Sequence, residues 1–221
     1  MSARLLKATE PPAATFNSAI ALAHLRAADA TLAALIDRVG AYAIEMQPAA
    51  SLFEALLRSI IYQQLHGRAA ANIHARVLSV LKAHGGVKPT SVDRAGETAL
   101  RTAGLSRAKY AAICDLAEKC RNGTVPTLAE AAGLSDGELI ERLTAVRGIG
   151  PWTVHMLLIF TLGRPDVMPT GDFAIRLAFK KLYRKRRAPT PATILAHAQR
   201  WAPYRSIASW YLWRSLEIPP S

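Results

Sequence analysis

The segment LTAVRGIGPWTVHMLLIF, Leu143 to Phe160, carries the local pattern with the clearest chemical meaning. Gly148 and Gly150 flank Ile149, which predicts two helices joined by a tight reversal, with positive φ at the glycines and the isoleucine plugging the gap between the helices. Pro151 then falls at the first position of the second helix, where its missing N–H costs nothing. Such a hairpin, residues 147–151, leaves backbone N–H groups at a helix start, and these hold an anion such as phosphate without reading bases. A G-x-G turn alone is more often an ordinary αα connection, so the rest of the chain must decide. Twenty residues past Trp152 stands Asp172, after Thr-Gly and before FAIRLAF. Taken alone, that placement is a helix N-cap.

Charge narrows the choice of partner. Lys and Arg number 28 against 16 Asp and Glu, a net charge of +12. Residues 173–221 hold ten basic residues and one acid, Glu217. Within them, Arg176 to Arg187 carries seven basic residues in twelve, interleaved with Leu177, Phe179, Leu182 and Tyr183. One face of such a helix packs while the other can lie along phosphates. In isolation a solvated basic helix end explains the run equally well. No apolar run approaches the roughly eighteen residues of a membrane span, and no secretory pattern is legible at the N-terminus, which points to the cytoplasm with its nucleoid or to a nucleus. Cys114 and Cys120 are six apart, about 9 Å along a helix and too far for a disulfide. Two thiols also cannot supply a four-cysteine iron–sulfur cluster.

The elements that must position these residues are helical throughout, and the chain is read as all-α. A helix from Asp29 to Val39 stops at Gly40, and Ser51 with Glu54 forms a capping box before LFEALLRSIIYQQL. Others run through RAAANIHARVLSVLKAHGG, from Ser106 toward Cys120, from Ser135 to about Val146, from Thr190 to Trp201 and from Ser206 to Glu217. MQPAAS (46–51) and GRPDVMPTG (163–171) read as hinges.

With these motifs in order, the chain resembles the helix-hairpin-helix DNA glycosylases, in their 3-methyladenine DNA glycosylase II branch. The resemblance spans Leu52 to Trp213 and rests on RSIIYQQL, VRGIGPWT, MPTGDFAIR and WAPYRSIASWYLW. It implies two helical subdomains with the active site in the cleft between them. Residues 49–165 would carry the hairpin; residues 1–48 and 166–221 would carry the catalytic aspartate. It also implies that no N-terminal β domain is present, since residues 1–50 read as helix and leader. The family's aspartate after the hairpin maps onto Asp172, whose capping role is compatible with catalysis: the positive end of a helix favours an oriented negative carboxylate, which suits an oxocarbenium-like sugar.

The same resemblance implies a base pocket lined by Trp152, Trp213 and Tyr62, where electron-rich rings favour a cationic alkylated base. The turn QQLHG would supply the wedge that replaces a flipped base, Gln64 or Leu65, with His66 and Arg68 near phosphate. Arg147, Gly148, Ile149, Gly150 and Thr153 would hold the backbone, and carbonyls of Thr144, Val146 and Ile149 would hold a sodium or potassium ion. Trp152 stands where lyase relatives carry a lysine, so no Schiff-base nucleophile is expected, and no cofactor is required. The expected activity is excision of bases such as 3-methyladenine or 7-methylguanine from double-stranded DNA by a monomer that leaves an abasic site. The alternatives are a non-catalytic helix-hairpin-helix module and a basic helical scaffold. Binding to undamaged duplex should fall about 10²- to 10³-fold between 50 and 200 mM salt if four to six phosphates are contacted. Affinity that is indifferent to salt in a titration would contradict the electrostatic reading.

Overall fold

The computed structural model describes residues 17–65 and 67–219, so His66 and the reading of the first sixteen residues fall outside it. Among the described residues there are twelve α-helices and no strand: α1 Ser18–Ala28, α2 Ala30–Val39, α3 Leu52–Tyr62, α4 Gly67–Ala83, α5 Pro89–Thr102, α6 Arg107–Arg121, α7 Leu128–Gly133, α8 Asp136–Thr144, α9 Pro151–Phe160, α10 Phe173–Leu182, α11 Pro191–Ala198 and α12 Arg205–Arg214. None of these helices is long and apolar enough to cross a membrane. Two compact units share the chain, one made of Ala49–Leu157 and the other of the described residues up to Pro48 together with those from Leu158 onward.

In the central unit, α3 buries Leu52, Phe53, Leu56, Leu57, Ile60 and Ile61, each worth about 1.5–3 kcal/mol of apolar burial. It packs against α4 and α6, and α5 packs against both of those. Ser51 caps α3 by accepting from Glu54 N. The expected capping box is displaced by one residue, because the Glu54 carboxylate takes Ala50 N instead of Ser51 N. At α8 the reciprocal box of Ser135 and Glu138 is complete.

In the terminal unit, α12 packs against α10 and α2, and its buried residues include Trp210, Tyr211 and Leu212. Residues 163–171, expected as a hinge, are instead pinned. Asp166 takes two hydrogen bonds from the Arg205 guanidinium at 2.7 and 2.8 Å. Ser206 Oγ donates to Arg164 O at 2.6 Å and accepts from Val167 N at 2.9 Å. Both chain segments of this unit meet at Asp29, the N-cap of α2. Its Oδ2 accepts from Tyr183 Oη at 2.7 Å and Trp201 Nε1 at 3.1 Å and lies 2.9 Å from His197 Nε2.

Burial works to raise the Asp29 pKa, but the bonds from Tyr183, Leu32 N, His197 and Trp201 outweigh it and leave the value lowered. The carboxylate's contribution to stability is therefore complete above the unfolded value near 3.9 and is lost as pH falls through the lower folded value. Asp29→Ala leaves buried donors without an acceptor and should cost about 3 kcal/mol or more, a Tm drop of about 6–12 °C for a chain of this size. A Tm within about 2 °C of wild type in a thermal melt at neutral pH would contradict this role.

Candidate active site

Asp172 is the N-cap of α10, and the helix fixes its carboxylate: Oδ1 accepts from Ile175 N at 2.8 Å. The same oxygen accepts from the indole Nε1 of Trp213, on α12, at 3.2 Å. Only 9% of Asp172 is exposed. Two donors from two helices thus hold one oxygen of a carboxylate set at the positive end of a helix dipole. This arrangement can stabilise a cation that forms next to it and align a water molecule.

Beyond its bond to Asp172, Trp213 lies beside Phe160, with ring centroids 5.6 Å apart and planes tilted by 30°. Sequence reasoning missed Phe160, because an aromatic residue at the end of an apolar helix looks like core. Trp152 and Tyr62 belong to the central unit. Trp152 is 50% exposed on the first turn of α9, high for a tryptophan. Tyr62 is half-buried at the end of α3. The Arg58 guanidinium lies 4.7 Å over its ring, and His74 meets it edge-on at 5.8 Å. One face of Tyr62 is therefore covered within the protein.

The hairpin takes a more specific form than the sequence suggests. Gly148 has φ +79°, but Gly150 lies outside the left-handed region, which corrects the expectation of positive φ at both glycines. Gly150 O accepts from Val154 N at 3.2 Å, so α9 starts at Pro151 as expected. Ile149 is buried at 5% exposure, and Thr153 at 8%, so neither presents a side chain outward. Two amides are engaged inside the protein: Arg147 N donates to Asp115 Oδ2 at 2.7 Å, and Ile149 N donates to Val146 O at 3.0 Å. Arg147 and Ile149 therefore do not offer their N–H groups to phosphate, although the Arg147 side chain is exposed. Thr153 N, inside the first turn of α9, has no intrahelical acceptor. The carbonyls of Thr144, Val146 and Ile149 are hard oxygen donors whose chemistry suits a monovalent cation; Thr144 and Val146 are at the negative end of α8, whereas Ile149 stands just before the start of α9.

The turn after α3 is built from residues the sequence left unremarked. Lys109 Nζ donates to Ile61 O at 2.6 Å and Gln63 O at 2.8 Å, and partial burial lowers its pKa. Gln63 Nε2 donates to Gly148 O at 2.8 Å, which ties this turn to the hairpin. Gln64 is exposed with φ +58°, a conformation costly for a non-glycine residue and common at functional turns. Leu65 is half-buried, and Arg68 is exposed on the first turn of α4.

These backbone angles separate two substitutions that the sequence treats alike. Gly148→Ala forces a Cβ onto a left-handed backbone and should cost about 1–2 kcal/mol, a Tm drop of a few degrees. Gly150→Ala meets nothing within 4 Å and should leave Tm within about 1 °C. Equal losses from both in paired melts would contradict the geometry.

Comparisons with known proteins place the chain in a family. The family model described as HhH-GPD superfamily base excision DNA repair protein matches residues 57–203. The chain is 38% identical over 200 residues to DNA-3-methyladenine glycosylase 1 of Schizosaccharomyces pombe, covering 88% of this chain and 86% of that protein. A solved structure of the S. pombe 3-methyladenine DNA glycosylase in complex with abasic DNA matches with a TM-score of 0.78 at 37% identity, covering 91% of this chain and 98% of that one. The crystal structure of a DNA-3-methyladenine glycosidase from Bacillus halodurans matches with a TM-score of 0.80 at 34% identity, covering 88% of each chain. The chain belongs to the HhH-GPD superfamily of base excision DNA repair proteins.

Proposed function

We propose that this base-excision DNA glycosylase acts as a monofunctional, monomeric enzyme on alkylated bases in duplex DNA, in the nucleoid-bearing cytoplasm or a nucleus. The observation that carries the reading is the Asp172 carboxylate, buried at the start of α10 and bonded by Trp213. Alkylation at a ring nitrogen makes a purine cationic, and it leaves with the electron pair of its bond to C1′. The sugar becomes oxocarbenium-like; Asp172 offsets that charge and orients the water that attacks C1′, whose proton passes to the Asp172 carboxylate and on to solvent. A cationic leaving group needs little general-acid help, so one carboxylate suffices. The ring faces of Trp213 and Trp152 favour the cationic base over its neutral parent, and Tyr62 contributes from the end of α3. Trp152 occupies the position where a lyase would need an amine, so the product is an unbroken strand with an abasic site.

On the DNA side, the amides of Gly148, Gly150 and Thr153 hold phosphate, with Arg147 and Arg68 beside them, and a sodium or potassium ion on Thr144, Val146 and Ile149 would complete the grip. Gln64 is the favoured wedge, since it is exposed on a turn held open at an unfavourable φ while Leu65 is half-buried. The substrate class draws support from the S. pombe relative named for 3-methyladenine excision.

Asp172→Asn tests the reading, because the amide oxygen can still accept from Ile175 N and Trp213 Nε1, so the cap and Tm should be kept. Single-turnover release of a methylated purine should slow about a hundred-fold or more, with binding intact. In the wild type, strand scission should require alkali after base release. Wild-type excision by a stable, DNA-binding Asp172→Asn protein would leave Asp172 as a cap only.

A further inference from the structure

Helix α10 carries opposite charges at its two ends. Asp172 caps its start, and ten residues at 1.5 Å each place its C-terminus about 15 Å away. There the chain passes through Arg184, Lys185, Arg186 and Arg187, all exposed. The segment is not loosely held: Lys185 N donates to Lys180 O at 2.9 Å and Arg184 N to Lys181 O at 3.1 Å, while Arg176 Nε reaches Pro189 O at 3.3 Å. The first two bonds form a helix-terminating motif whose left-handed position is ordinarily glycine. Here that position is Arg184, with φ +49°. A cation is kept where glycine would be about 1 kcal/mol easier.

The surface around this turn is concave as well as positive. One depression of about 600 Å³ is lined by Lys185, Arg186 and Arg187 with Thr190 and Thr193. A second, of about 1000 Å³, has Arg38, Lys181 and Arg184 over Leu35 and Leu216. Glu217, the one acid after Asp172, is taken by Arg214 at 2.7 Å. Among the described residues, no ion pair involves Lys181 or residues 184–187. Concave positive surfaces concentrate potential and favour polyanions.

We propose that this cationic turn is a second DNA-binding surface, holding the phosphate backbone of a separate duplex segment while Asp172 addresses a nucleotide from the opposite end of α10. The inference rests on the proposed function only for the placement of the first duplex. A flipped nucleotide meets Asp172 at the start of α10, whereas the cationic turn closes the other end of that helix. A second phosphate surface lets one molecule hold two duplex segments, which assists transfer between distant sites without full release. Charge complementarity favours the evenly spaced phosphates of DNA, because the depressions present repeated ammonium and guanidinium groups along one turn.

The test loads the wild type stoichiometrically with a short abasic-site duplex and then titrates a fluorescent undamaged duplex into the complex. The second duplex should bind, weakening about 40-fold between 50 and 200 mM salt if three phosphates are neutralised. K185E/R186E/R187E should lose at least tenfold of this second affinity, and the neutral set K185Q/R186Q/R187Q should lose less. Both variants should excise from a short lesion duplex within twofold of the wild-type single-turnover rate. The inference is overturned if the loaded wild type binds no second duplex or if the variants bind it unchanged. It is also overturned if they lose affinity for the lesion duplex itself, which would place the turn in the first footprint. Failure of Asp172→Asn to alter excision would leave this binding assay untouched, so the two readings fail separately.

Discussion

One carboxylate oxygen, Asp172 Oδ1, is bonded at once by the first turn of α10 and by the indole of α12. The helix amide sets where the carboxylate sits, and the indole sets how it is turned. A bond from a neutral donor to a charged acceptor contributes about 1.5–3 kcal/mol. Here that energy acts on orientation, because the two donors converge on one oxygen from two different helices. The remainder of the terminal unit serves this geometry. The clasp of Asp166 on Arg205 and the Ser206 hydroxyl fix the start of α12 to the loop that leads into α10. Asp29 joins the far end of α10, through Tyr183, to α11 and the turn after it, through His197 and Trp201.

The central unit solves a different problem, that of fixing two tight turns against each other. Its solution is a small network of charge on backbone. Asp115 takes the Arg147 amide, Lys109 closes the end of α3, and Gln63 joins the two by bonding Gly148 O. Each partner satisfies a backbone group that the tight turns leave over. Together they join the turn after α3 to the hairpin.

Much of this was legible in the sequence wherever one residue type has one strong local use. Ser135 with Glu138, Pro151 at a helix start and Gly40 after Val39 each mark an end that the structure keeps, and Asp172 reads as a cap because it is one. What stayed hidden is of two kinds. Helix α5 is interrupted by Gly96 at φ +71°, and α7 has only six residues, so neither shows a clean apolar period. Lys109, Asp115 and Gln63 act over 32 to 85 residues of chain on backbone atoms, and no spacing rule announces a lysine whose partner is a carbonyl. Gly150 was misjudged for a related reason. Composition marks a turn, but only the path of the chain decides which of two glycines takes the left-handed conformation.

A double-mutant cycle tests directly whether Trp213 works through Asp172. Trp213→Phe keeps an aromatic ring and deletes the N–H together with part of the indole surface. Single-turnover excision would be measured for the wild type, Trp213→Phe, Asp172→Asn and the double variant. We expect Trp213→Phe to slow excision about tenfold when Asp172 is present and by less than twofold when it is Asn, since groups in one network do not add. An equal slowing in both backgrounds would contradict this coupling, because Trp213 would then act on the base alone.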